Sequence, residues 1–223
     1  MSLPHQVFIG CPISKDIRTN NDKLKKHVED TTPLSLVLAD TVGVSSSDFL
    51  LTHITSLIRE SAACIFDATG SNPNVALEIG IAHTVPVNFI ITLKTRKPKR
   101  RSTVAEEKHA RETRSIISDL QGKNRIEYKL YDTLQAQLVD RFLNNLPYMK
   151  RWRDFEKKNK KLAPLLLPMF QDIRDSGRTT KTRLDQLLAG TGFGAYKVLN
   201  DLRSAKLVRV LRGSKGGIFY PAA

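Results

Sequence analysis

Short apolar runs of strand length alternate with stretches of helical spacing over roughly the first two thirds of the chain. Residues 7–10 (VFIG) predict a first strand, and residues 20–29 (NNDKLKKHVE) a mostly polar surface helix. Residues 34–39 (LSLVLA) predict a second strand that ends at Asp40. Over residues 48–61, Phe49, Leu50, Ile54, Leu57 and Ile58 recur at the spacing of a buried amphipathic helix, opened by Ser45, Ser46, Ser47 and Asp48 as cap candidates. Residues 62–66 predict a third strand delivering Asp67 to its carboxyl end, and residues 87–93 (VNFIITL) a fourth, rich in β-branched side chains. A charged helix over 103–121 with Gly122 as its cap follows, then an alternating edge strand over 125–131 (RIEYKLY) and a helix over 133–146 closed by Pro147. Strand and helix alternating through short connections predict an α/β domain with a doubly wound, mostly parallel sheet of Rossmann-like or flavodoxin-like type, over residues 1–147.

Beyond residue 147 the pattern changes. Residues 150–161 (KRWRDFEKKNKK) are dense in positive charge, with Trp152 and Phe155 three apart, so residues 148–164 predict a basic linker helix that these aromatics anchor to a neighbouring surface. Helical spacing then covers residues 165–175, 180–188 and 193–205. Two β-rich pieces at 207–211 and 218–220 follow, joined by the Gly/Lys loop 212–217. Helix, helix, turn, helix, strand, loop, strand is the order of a winged helix-turn-helix, and residues 165–223 resemble that family in order along their whole length.

Composition adds a direction. The 223 residues are 40% hydrophobic and 26% charged, as in soluble globular proteins, and are enough for one α/β domain and a small second one. No apolar run approaches the ~20 residues of a membrane helix, and the N-terminus MSLPHQVFIG has no basic region followed by an apolar one, so a cytoplasmic protein with no membrane partner is expected. Cys11 and Cys64 read as small buried residues without a disulfide, and neither has metal-site spacing. Net charge is +14, and residues 148–223 carry 17 Lys and Arg against 6 Asp and Glu, a net +11. That asymmetry predicts an acidic partner for the C-terminal third, with DNA or RNA the commonest. On its third helix, Lys197, Asn200 and Arg203 are candidate contacts, joined by Arg212 and Lys215 on the wing. A second basic run, 94–101 (KTRKPKRR), follows the fourth strand, so Lys97, Arg100 and Arg101 are candidates for holding a phosphate near the sheet edge.

The chemistry concentrates between Asp67 and His83. Thr69, Gly70 and Ser71 turn the chain, Asn72 is a helix N-cap and Pro73 fills the first helical position. At about 100° per residue, Val75, Leu77, Ile79, Ile81 and Ala82 form one apolar arc with Glu78 at its centre. An unpaired buried carboxylate costs several kcal/mol. Glu78 is therefore either held by a backbone N–H or an arginine, or it has a task. Ligands of open α/β sheets bind beyond the carboxyl ends of the strands, which predicts Asp67 and Glu78 facing one crevice there.

The segment NPNVALEIGIAH, residues 72–83, resembles the nucleoside 2-deoxyribosyltransferase-like superfamily, in which such a segment follows a strand ending in Asp. The first strand and its loop, VFIGCP, are similar to the family's opening strand and Gly-Pro loop. The resemblance implies that Glu78 is the nucleophile on an anomeric carbon, and that Gly10, Pro12, Asn72 and Asn74 line the substrate. It also implies a homo-oligomer and no cofactor. Family transferases carry an acid six positions before the nucleophile, where this chain has Asn72, so hydrolysis of an N-glycosidic bond is expected over transfer. Asp67 is the candidate second group, managing the leaving group's proton or orienting sugar hydroxyls. The substrate expected is a nucleoside, a nucleotide or NAD; TIR-like NAD hydrolases are similar in sheet topology and also use a helix Glu.

An enzyme-like domain joined to a winged helix is similar in architecture to retron effector proteins, anti-phage components held by a reverse transcriptase and its DNA–RNA hybrid. That similarity implies such a complex as a partner. The competing expectation is a non-enzymatic regulator, whose α/β domain senses a nucleotide while its winged helix binds DNA. A third is that the first domain only scaffolds.

Overall fold

The computed structural model describes residues 3–12, 14–39, 47–70, 72–94, 104, 125–213 and 216–221, with the backbone alone at 47–49, 212–213 and 216–218. Strands β1 (Leu3–Gly10), β2 (Ser35–Leu38), β3 (Ser61–Asp67), β4 (Asn88–Lys94) and β5 (Arg125–Tyr128) form one sheet in the order β2-β1-β3-β4-β5. Every pairing in it is parallel. Helices α1 (Lys15–Thr31), α2 (Ser47–Glu60), α3 (Pro73–His83) and α4 (Tyr131–Arg141) cover it. The chain is thus α/β with a five-stranded parallel sheet.

Strand order decides which helix covers which face. Right-handed crossovers running from β1 towards β2 and from β3 towards β4 proceed in opposite directions, so their helices fall on opposite faces. Val7 and Ile9 of β1 and Ala63 and Ile65 of β3 accordingly pack with Leu24 and Val28 of α1 and Leu134 and Leu138 of α4. Their alternates, Phe8, Cys64 and Phe66, pack with Ile58 of α2 and with Val75, Ile79 and Ala82 of α3.

Past α4 and a 3₁₀ turn at Leu143–Asn145, the chain forms α5 (Pro147–Lys158), α6 (Ala163–Ser176), β6 (Thr179–Thr180), α7 (Lys181–Leu188) and α8 (Ala195–Ser204). It ends in β7 (Val208–Gly213) and β8 (Gly216–Pro221), and β6, β8 and β7 make a small antiparallel sheet in that order. Pro147 opens α5 at a first-turn position, where its missing N–H is no loss, rather than closing the helix before it. Tyr148, Met149, Trp152 and Phe155 of α5 are buried in the same core as β1 and α6. Trp152 stacks on Phe155 and meets Phe170 edge-on, an arrangement aromatic pairs favour. Arg174 of α6 donates to the carbonyls of Glu29, Thr32 and Leu34, so a cation holds the C-terminal end of α1. Among the described residues no helix is long and apolar enough to cross a membrane.

Candidate functional site

Asn72 accepts from the backbone N–H of Asn74 at 2.9 Å and of Val75 at 3.4 Å, and Pro73 follows, so the N-terminus of α3 is fixed by side-chain capping. The buried face of α3 then comprises Val75, Glu78, Ile79 and Ala82, the i, i+3, i+4, i+7 set. Glu78 is 6% exposed and sits at the centre of that face, as its spacing predicts. Leu77, expected on the same arc, is 52% exposed. The carboxyl rather than the leucine is turned to the sheet.

Beneath Glu78 lies the last residue of β1. A Cβ built on Gly10 would overlap Glu78 Oε2 and stand 2.7 Å from Phe66 Cδ1. Glycine is required here by the close approach of the carboxylate to the strand. Glu78 Oε2 is buried and has no hydrogen-bond partner among the described residues. Burial pushes the Glu78 carboxyl up to about 7. Cys64, on the same face of β3, has its thiol pushed up to about 12 by burial and then by the charge of Glu78.

Asp67 is the last residue of β3 and is 3% exposed. It accepts from the Thr69 backbone N–H at 2.9 Å and from the Tyr128 hydroxyl at 3.0 Å. Thr69 Oγ1 in turn accepts from the Lys94 N–H at the end of β4, tying the turn after β3 to its neighbour. Burial raises the Asp67 carboxyl above its ordinary value, against the hydrogen bonds from Thr69 and Tyr128 and the charge of Lys94, which lower it. The Tyr128 hydroxyl is raised by burial and then by the charge of Asp67. Tyr131 meets Tyr128 edge-to-face and donates to Asn21 of α1 at 3.1 Å.

The two acids therefore do not share a face. Phe66 faces α3, so Asp67, the next residue, turns to the α1 and α4 side with Tyr128 and Ile126. Both stand at the carboxyl ends of adjacent strands β1 and β3, where the strand order reverses, and they reach that edge from opposite faces. The single crevice expected of them is corrected to an edge flanked on each side by one acid.

Of the other candidates, Pro12 is buried and accepts from the Ser14 N–H at 2.8 Å, while Asn74 is exposed. Asn72 Oδ1 is committed to the α3 cap. Lys197, Asn200 and Arg203 all lie on the exposed side of α8. Arg212 is described in its backbone only, and Lys215, Lys97, Arg100 and Arg101 lie outside the described residues. Two surface clefts, of about 390 Å³ between α1 and α4 and about 610 Å³ between α5 and α8, are lined by neither acid.

Sequence reasoning missed Tyr128 and Tyr131. The signal available was their place: a fifth parallel strand ends at the same edge as the third, so its last residues come beside Asp67. Compared with known proteins, the chain matches no family model and no curated protein.

Proposed function

We propose that the α/β part is an N-glycosidase of the nucleoside 2-deoxyribosyltransferase-like kind, cleaving a nucleoside, a nucleotide or NAD, with Glu78 as the nucleophile. The observation that carries this reading is a buried carboxylate oxygen, Glu78 Oε2, with no hydrogen-bond partner among the described residues, pressed against Gly10 at the carboxyl edge of the sheet. Keeping such a group costs the fold several kcal/mol, which a task explains and packing does not. Burial holds Glu78 near 7, so at neutral pH about half of it is the attacking carboxylate.

In the reaction, a Glu78 oxygen bonds to the anomeric carbon as the glycosidic C–N bond breaks. The bond's electron pair leaves with the base, which takes a proton from Asp67. Water then cleaves the glycosyl ester, returning a proton to Asp67 and freeing Glu78 as carboxylate. Nucleophile and leaving group occupy opposite sides of the reacting carbon, and acids reaching one edge from opposite faces suit a sugar lying across that edge.

The C-terminal part reads as a winged helix-turn-helix: α6, α7 and α8 with the antiparallel β6-β8-β7 sheet support it, and the +11 charge of residues 148–223, α5 included, supports DNA or RNA as partner. In a retron-type, anti-phage setting that nucleic acid is held by a reverse transcriptase. Absence of affinity for structured DNA or RNA at modest salt removes this half of the reading.

Chromatography of free bases after incubation with deoxynucleosides, nucleotides and NAD tests the enzyme. Release that vanishes in Glu78→Gln is expected. Binding of a nucleotide without turnover in the wild type overturns the enzyme in favour of a nucleotide-sensing DNA-binding regulator.

A further inference from the structure

One aromatic side chain in the basic third has no role in the core. Tyr196, in the first turn of α8, is 70% exposed. Its ring is not loose: Lys181 of α7 places Nζ 4.4 Å from the ring centroid, and the same ammonium is held by Asp185 at 2.8 Å. Cation and carboxylate fix one face of the ring and leave the other to solvent, which gives a flat surface at low conformational cost.

The surroundings are matched to a nucleic-acid strand. At 100° per residue, Arg203, Tyr196, Asn200, Ser204 and Lys197 fall on one arc of about 120°, all of them exposed, and no carboxylate lies on that arc. Ala195, Val198, Leu199 and Leu202 occupy the opposite, buried side. Two cations, an amide and an aromatic ring thus stand together on an exposed helix face that Lys181 meets at the ring. In a duplex the bases already stack on one another and present only their edges, so a ring face has no partner there; an unpaired base offers its whole π-face.

We infer that Tyr196 is a stacking platform for an unpaired base, flanked by Lys197 and Arg203 for the backbone phosphates, so that this face takes single-stranded DNA or RNA in preference to duplex. The inference rests on the nucleic-acid reading of the C-terminal part. Fluorescence anisotropy of the full chain with a labelled oligothymidylate about twenty nucleotides long, and with a blunt duplex of equal length, tests it at about 100 mM salt. Tyr196→Ala is expected to weaken single-strand binding by about tenfold while leaving duplex affinity within about twofold, and Tyr196→Phe to keep both. An unchanged single-strand affinity in Tyr196→Ala, or an equal loss on both probes, overturns the platform but leaves nucleic-acid binding standing. A wild type that binds neither probe overturns the nucleic-acid reading itself. Because Tyr196 is exposed, circular dichroism of each variant should match the wild type, which separates loss of contact from loss of fold.

Discussion

If Glu78 is buried without compensation, the protein must become less stable as this one group ionises. The carboxyl lies at about 7 in the folded chain, against 4.5 for an ordinary glutamate. A displacement of that size is worth about 3 kcal/mol. The sign follows from proton binding: between those two values the folded state holds the proton and the unfolded chain has released it. Stability is therefore fully present below about pH 4.5, falls as pH rises towards 7, and levels off above it. Glu78→Gln keeps the shape and removes the charge. Urea unfolding followed by circular dichroism at about pH 5, 6, 7 and 8 is expected to show the variant gaining on the wild type as pH rises, by about 2–3 kcal/mol across the range. Subtracting the variant's curve cancels every other titrating group, His5 among them: lowered to about 4 by burial and by Arg174, it adds the same pH dependence between about pH 4 and 6.5 to both proteins. Parallel curves from pH 5 to 8 would refute the reasoning. They would mean that the Glu78 charge is compensated, and the case for a task at this position would fall with the cost.

Three other variants follow from the packing around these groups. Gly10→Ala drives a methyl group into Glu78 Oε2 and against Phe66, and is expected to lower stability by about 1–3 kcal/mol and to abolish base release, measured by urea unfolding and chromatography; wild-type turnover would show that Glu78 is not fixed there. Tyr128→Phe removes the hydroxyl that donates to Asp67 at 3.0 Å and is expected to cost about 1–3 kcal/mol in urea unfolding; an unchanged midpoint counts against it. Arg174→Met strips the donor from the carbonyls of Glu29, Thr32 and Leu34 and is expected to cost about 3 kcal/mol in thermal unfolding, whereas a surface arginine would cost less than about 0.5.

The parallel strands were legible because strands buried on both faces read as continuous apolar runs, as in 62–66 and 87–93. Boundaries set by tertiary contact were not. Strand β1 begins at Leu3 rather than Val7, because Gln6 donates to Ser61 and Leu3 pairs with Ser61 across an irregular register. Helix α1 begins at Lys15, five residues early, since Asn21 bonds back to the Ile17 carbonyl and is buried instead of opening a helix. The two-residue β6 exists only because β8 lies beside it, and local sequence carries no sign of that. The Gly/Lys pattern predicts a six-residue hairpin loop over 212–217, but Gly213 pairs with Gly216, as glycines free of side chains allow. Pro147 fits both the end of one helix and the start of the next, and the choice is made by Tyr148 and Trp152, which only a helix starting there can bury together.

The position of Glu78 was legible for a different reason from that of Asp67. A charge at the centre of an apolar arc reports its own burial through spacing alone, and α3 is short and firmly capped, so its phase does not drift. For Asp67 the sequence gives the strand end but not the face, since parity along a strand has meaning only once it is known which helix lies on which side. That depends on β1 and β3 being neighbours with crossovers that leave in opposite directions. The consequence is chemical as well as topological. Acids on one face would be about a side chain apart and would raise each other's pKa, whereas neither acid here shifts the other and burial is the first cause for each. In the proposed cleavage one acid gives a proton while the other attacks, so each takes its protonation from its own surroundings: Asp67 from burial set against the Thr69 and Tyr128 hydrogen bonds, Glu78 from burial alone.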